Sequence, residues 1–144
     1  MTEADKKAVI LAVDDTPENL DVVKGVLGGD FVIKAAINGM IALKIAEKSP
    51  PNLILLDIQM PGMDGFEVMS RLQAVENTQQ IPVIFLTGES DSEIRQRALD
   101  MGARGFVTKP IDAAVLSETV TDILSAGKGG DDGNQTKTGG AGGR

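Results

Sequence analysis

Three apolar runs of this chain end in side chains suited to metal or phosphoryl chemistry. Val9-Ile10-Leu11-Ala12-Val13 runs into Asp14 and Asp15, Leu53-Ile54-Leu55-Leu56 into Asp57, and Val83-Ile84-Phe85-Leu86 into Thr87. A fourth short run, Gly105-Phe106-Val107, leads to Thr108-Lys109-Pro110. If the runs are parallel strands, their carboxyl ends gather three carboxylates, a hydroxyl and an ammonium on one rim, where open α/β sheets bind ligands. Oxygen ligands without histidine or cysteine suit a hard cation, Mg²⁺ or Mn²⁺. Carboxylates crowded in this way repel, so their metal-free pKa values are expected to rise. Asp57, on the central run, is then placed to be a nucleophile that accepts a phosphoryl group as an acyl phosphate. The cation and Lys109 would neutralise charge on the transferring oxygens, and Thr87 would donate a hydrogen bond to them, with Gly88 leaving room.

Each residue also has a plainer role. Asp14-Asp15 can be an acidic turn that caps the next helix, Asp57 only a metal ligand, Thr87 a strand end and Lys109 a surface charge. The convergence of several run ends favours the chemical reading over four coincidences.

The elements that must position these groups are legible as alternating periods. Five apolar runs alternate with five segments of helical spacing, the pattern of a parallel sheet with crossover helices on both faces. Thr16-Pro17-Glu18-Asn19 reads as an N-cap, a proline at the first helical position and an acid in the first turn. Leu20, Val23 and Leu27 follow as an inward stripe, ended by Gly28-Gly29. Phe31 to Ala36 is expected to be the second strand, and Lys34 within it suggests a sheet edge. Asn38 caps a helix carrying Ala42, Ile45 and Ala46. Gly65 opens a third, with Phe66, Met69 and Leu72 inward. Ser90 and Glu93 form a capping box before Ile94, Ala98 and Met101, closed by Gly102. Asp112 caps the last helix, where Leu116, Val120, Ile123 and Leu124 keep helical spacing. Residues 1–6 read as a flexible start, 7–126 as the domain, and 127–144 as a glycine-rich disordered tail or linker, since residues 128–144 hold no large apolar side chain to offset the entropy of ordering.

Composition excludes several classes. A chain of 144 residues holds one domain. Fourteen basic against 21 acidic residues give a net charge of -7, which disfavours direct attraction to nucleic acid or anionic membranes. No run is long enough to span a bilayer and no secretory leader is visible, so a cytoplasmic location is expected. With no cysteine there is no disulfide or thiolate site, and with no histidine there is no internal phosphohistidine, so a phosphoryl donor must come from outside.

Asp14-Asp15, the segment Asp57-Ile58-Gln59-Met60-Pro61-Gly62-Met63-Asp64-Gly65, Thr87-Gly88 and Lys109-Pro110 together resemble the receiver domain of bacterial two-component response regulators. The resemblance implies a doubly wound, flavodoxin-like fold, five parallel strands in the order 2-1-3-4-5 flanked by five helices. It implies that Asp57 is phosphorylated by a sensor histidine kinase or a histidine phosphotransfer protein. Mg²⁺ is then held by Asp15, Asp57 and the Gln59 carbonyl, with Asp14 helping through water, while Thr87 and Lys109 contact the phosphoryl group. It further implies a cis Lys109-Pro110 bond, a switch formed by Thr87 and Phe106, and control of water access by Gln59 and Glu89. The responding surface would be the fourth helix, fifth strand and fifth helix, with Ile94, Arg95, Arg104, Phe106 and Leu116 where exposed.

Two other functions compete with this switch. An aspartate-nucleophile phosphatase would carry a second aspartate two residues after the nucleophile, where this chain has Gln59. A nucleotide- or flavin-binding module would show a Walker-type phosphate loop, or a tryptophan or tyrosine to stack on a flavin, and this chain has none of these. The receiver can act alone, bind a downstream protein, form a homodimer on phosphorylation, or be the front of a longer regulator. Thr16-Pro17-Glu18-Asn19-Leu20 and Ala36-Ile37-Asn38-Gly39 resemble receivers fused to cyclic-di-GMP enzymes.

Overall fold

Each of the five apolar runs forms a strand. The structure, a computed structural model, describes residues 7–88 and 92–129. Strands β1 (Val9–Val13), β2 (Val32–Ala36), β3 (Leu53–Asp57), β4 (Val83–Thr87) and β5 (Gly105–Thr108) alternate with helices α1 (Pro17–Leu27), α2 (Gly39–Lys48), α3 (Gly65–Gln73), α4 (Ser92–Asp100) and α5 (Ala113–Gly129). Every pairing is parallel and the order is β2-β1-β3-β4-β5. This is the doubly wound, five-stranded α/β sheet that the alternation of periods and the family resemblance led us to expect.

Strand alternation divides the core into two halves. Leu11, Val13, Ile54, Leu56, Val83 and Phe85 pack with residues of α2, α3 and α4. Ile10, Ala12, Leu53, Leu55, Ile84 and Leu86 pack with Leu20, Val23 and Leu27 of α1 and Leu116 and Val120 of α5. The inner strands are covered on both faces, which is why they read as continuous apolar runs. β2 is an edge strand, as Lys34 suggested, and Lys34 Nζ reaches Ser49 Oγ at 3.4 Å. Phe31 lies just before β2 and not in it; its amide bonds to the Leu27 carbonyl at 3.0 Å, completing the turn out of α1.

Side-chain caps fix three helix starts. Asn38, Asp64 and Asp112 accept from the amides of Ile41, Glu67 and Val115 at 2.9, 2.9 and 3.1 Å, each cap contributing about 1 kcal/mol. Thr16 occupies the cap position of α1 without such a bond. Pro17 has no amide to offer, and the Asn19 amide bonds to the Thr16 carbonyl at 3.0 Å instead of its hydroxyl. Gly102, at φ +102°, closes the turn after α4 in a left-handed conformation that glycine adopts without strain. The capping residue Ser90 and the site-flanking Glu89 lie outside the described residues, as do 1–6 and 130–144. The α5 backbone runs through Gly129, past the domain boundary expected at 126.

Gly65 ties α3 to the end of β3. Its amide bonds to the Ile58 carbonyl at 2.8 Å, and a Cβ there would stand 2.5 Å from the Asp57 carbonyl oxygen and 2.8 Å from Ile58 Cα. Both obstacles are backbone and neither can rotate away. Gly65→Ala is expected to destabilise the fold by roughly 1–3 kcal/mol, measured by chemical denaturation. Unchanged stability would show that β3 and α3 separate at little cost.

Candidate functional site

Parallel pairing brings the carboxyl ends of β1, β3, β4 and β5 to one rim. Val13 pairs with Leu56, so Asp14 and Asp57 follow side by side, and Thr87 pairs with Thr108, the residue before Lys109. Backbone bonds extend the sheet into the site. The Asp14 amide donates to the Ala36 carbonyl at 3.1 Å, that of Ile58 to Leu86 at 3.1 Å and that of Lys109 to Thr87 at 2.8 Å. The Lys109-Pro110 peptide is cis.

The Lys109 ammonium lies between two buried carboxylates. Its Nζ is 3.0 Å from Asp14 Oδ2 and 3.1 Å from Asp57 Oδ1. Asp14 is fully buried and takes two further donors, the Thr16 amide at 2.9 Å on Oδ1 and Asn19 Nδ2 at 3.1 Å on Oδ2. Asp57, 3% exposed, also accepts from the Gln59 amide at a long 3.3 Å. Asp15 is exposed, and its carboxylate completes a group of three whose oxygens lie within 4.8 Å of one another. An oxygen-only set of this kind fits a hard divalent cation. Thr87 is buried at the adjoining strand end. Phe106, half-buried on β5, packs against the α2/α3/α4 core with the Arg95 guanidinium 5.6 Å from its ring centre.

Sequence reading missed some of these partners. Asn19 faces Asp14 from the first turn of α1, and its polar side chain two positions after the N1 proline was the available signal. Arg95 stacking on Phe106 depends on how α4 crosses β5, which spacing along the chain does not encode. Of the residues expected on the responding surface, Ile94 and Arg95 are half-buried and Arg104 is exposed, but Leu116 is fully buried. It belongs to the apolar stripe that seats α5 on the sheet, so it offers no surface to a partner.

Burial raises the Asp57 carboxyl from 3.8 to about 6, the Asp14 charge adds to the rise, and the Lys109 ammonium limits it. Burial also opposes the Lys109 charge, but hydrogen bonds and attraction from Asp14 and Asp57 outweigh it and raise its pKa above the ordinary 10.5. The lysine contribution to stability is therefore present below pH 10.5 and is lost as pH rises through its higher folded value. For Asp57 the sign is the same, in a lower window, because its folded pKa is raised as well. Between pH 3.8 and about 6 the folded chain holds a proton that the unfolded chain has released, so stability falls as pH rises through that window. The loss is on the order of 3 kcal/mol by neutral pH. Asp57→Asn is accordingly expected to melt at least ~3 °C higher than the parent chain in chelator near neutral pH, with the gain absent near pH 4. A gain that does not change with pH would mean that Asp57 charge is not its source.

Residues 10–121 match the family described as the response regulator receiver domain. A Vibrio cholerae protein named "Probable cyclic di-GMP phosphodiesterase" is 41% identical over 114 residues, 79% of this chain. The chain spans about a quarter of the length of that relative, 26%. The solved chemotaxis protein CheY4 of Vibrio cholerae superposes with a TM-score of 0.78 at 29% identity, over 82% of this chain and 99% of that one. The receiver domain of a Pseudomonas aeruginosa sensor histidine kinase, solved with magnesium in its active-site cleft, gives 0.76 at 26% identity over 83% and 99% of the two chains. With the parallel order of its sheet and the acid-lysine cluster at its carboxyl rim, the chain belongs to the receiver domain family of two-component response regulators.

Proposed function

We propose that Asp57 accepts a phosphoryl group from a sensor histidine kinase or histidine phosphotransfer protein, and that the modified chain changes its affinity for a protein partner or output domain. The ion cluster carries this reading: a buried carboxylate at the end of the central strand, bound by an ammonium and lying beside two more carboxylates. An Asp57 oxygen forms the new bond to phosphorus as the donor imidazole departs with the electrons of the broken P–N bond and takes up a proton. Lys109 neutralises charge on the transferring oxygens, and the Thr87 hydroxyl donates to one of them.

Asp15, Asp57 and the Gln59 carbonyl would hold Mg²⁺, or Mn²⁺, directly. Asp14 would act through water, since its oxygens already accept from Thr16, Asn19 and Lys109. When bound, the cation would neutralise the crowded acids and polarise the phosphoryl oxygens. The magnesium in the Pseudomonas relative supports this assignment. Gln59, which is exposed, would flank the path of hydrolytic water, a role the family resemblance also gives Glu89. On this reading the chain is a switch that assists its own phosphorylation, not an enzyme acting on a separate substrate.

The identity with a relative of which the aligned residues make up 26% favours a second reading of context: a receiver that forms the front of a cyclic-di-GMP regulator. The chemistry at Asp57 is the same in both. A cytoplasmic location fits both, and among the described residues no helix is long and apolar enough to cross a membrane.

Acetyl phosphate with Mg²⁺ is expected to add the mass of a single phosphoryl group to the intact chain, and chelator to prevent it. Lys109→Met should slow the addition on the order of 10²-fold, the usual cost of removing a charge that stabilises the transition state. A normal rate in Lys109→Met, followed by intact-mass spectrometry, would remove the lysine from the reaction.

A further inference from the structure

The pole of the sheet away from Asp57 carries a cleft of its own. Ala8, Phe31, Asn52, Pro82 and Arg104 each immediately precede a strand, and with the carboxyl half of α5 they line a space of about 680 Å³. Sites for small molecules typically measure about 300–1,000 Å³. Asn52 precedes β3 and Asp57 ends it, so the cleft lies roughly 16 Å from the acid-lysine cluster, the length of one strand.

The cleft has an apolar side and a cationic side. Phe31, Ile123 and Leu124 are half-buried and pack onto the α1/α5 half of the core, and each also lines the cleft. The cations are Lys7 and Arg104, both exposed. Lys7 Nζ donates to the Gly29 carbonyl at 3.1 Å, and among the described residues neither side chain forms an ion pair. Asp30 is the single acid lining the cleft, so the local balance is positive on a molecule of net charge -7. The backbone of this frame is already satisfied. The amides of Val32, Asn52 and Arg104 donate to the carbonyls of Ala8, Val9 and Val83 at 2.9, 2.8 and 2.9 Å. A ligand is therefore met by side chains on a support that need not rearrange to receive it.

We propose that this cleft binds a small organic acid, specifically an aryl carboxylate. The aromatic body lies on Phe31, Ile123 and Leu124, exchanging water for apolar contact. The carboxylate meets Arg104, whose planar guanidinium can bond both oxygens, and Lys7 adds a second positive charge. Asp30 repels the anion and limits its affinity. The site is independent of chemistry at Asp57, and Lys109, which already holds Asp14 and Asp57, does not compete for the ligand.

The test is titration of the full chain with naphthoate, followed by amide chemical shifts. Saturable shifts are expected at Phe31, Asn52 and Thr121–Ser125, with a dissociation constant of about 0.1–1 mM. Arg104→Gln, at an exposed position, should weaken binding about fivefold, and Asp30→Asn should strengthen it about twofold. Naphthamide, which keeps the shape and lacks the charge, should bind at least about fivefold more weakly than naphthoate. Asp57→Asn should bind as the parent chain does. Shifts centred on Lys109, equal affinity for the amide, or parental affinity in Arg104→Gln would each overturn the proposal, as would the lack of any saturable shift up to about 10 mM.

Discussion

The Lys109 ammonium between Asp14 and Asp57 is the interaction on which the rest of the site depends. Two adjacent carboxylates withdrawn from water at neighbouring strand ends repel each other, and each loses hydration. The cation, 3.0 and 3.1 Å from the two, compensates both costs at once. The compensation is incomplete, and Asp57 keeps a carboxyl pKa near 6. That residue of unfavourable charge makes the site receptive to further positive charge and to chemistry that moves negative charge outward onto a transferring group.

Holding such a cluster requires a rigid support, and the parallel sheet supplies one. Central strands covered by helices on both faces place their ends reproducibly, and the backbone bonds from Asp14 to Ala36, Ile58 to Leu86 and Lys109 to Thr87 carry the ladder one residue beyond each strand. Gly65 lets α3 close against the peptide of Asp57 itself. The surroundings of the site are not equally firm. α1, which presents Asn19 to Asp14, is seated by three buried apolar residues, whereas α4 rests on one buried alanine, the half-buried Ile94 and two arginine-ring contacts. Elements with little buried apolar area are those that open or shift at low cost.

Much of this was legible in the chain because the groups that react are also the groups that end strands. An uninterrupted apolar run announces a strand buried on both faces, so Asp57, Asp14 and Thr87 could be assigned to one rim without coordinates. Lys34 marked the edge strand for the same reason, as a charge that an inner strand could not bury. Contacts between elements distant in sequence were not legible. Asn19 looked like an ordinary first-turn residue, Gly65 only like a helix start, and Arg95 like solvent-facing charge. Leu116, with helical spacing that fits a core stripe, was grouped with a surface it does not reach. Thr16 had the residue type of a cap, but proline at the next position and the carbonyl bond to Asn19 left its hydroxyl without that role.

The account stands on one atom of attachment. Treating the chain with acetyl phosphate and Mg²⁺, reducing the acyl phosphate with borohydride and sequencing the peptides by mass spectrometry would locate the modified carboxyl directly. Conversion of residue 57 to homoserine, with Asp14 and Asp15 intact, is the predicted result. Reduction at Asp14 or Asp15 with residue 57 intact, under conditions that phosphorylate the chain, would contradict it.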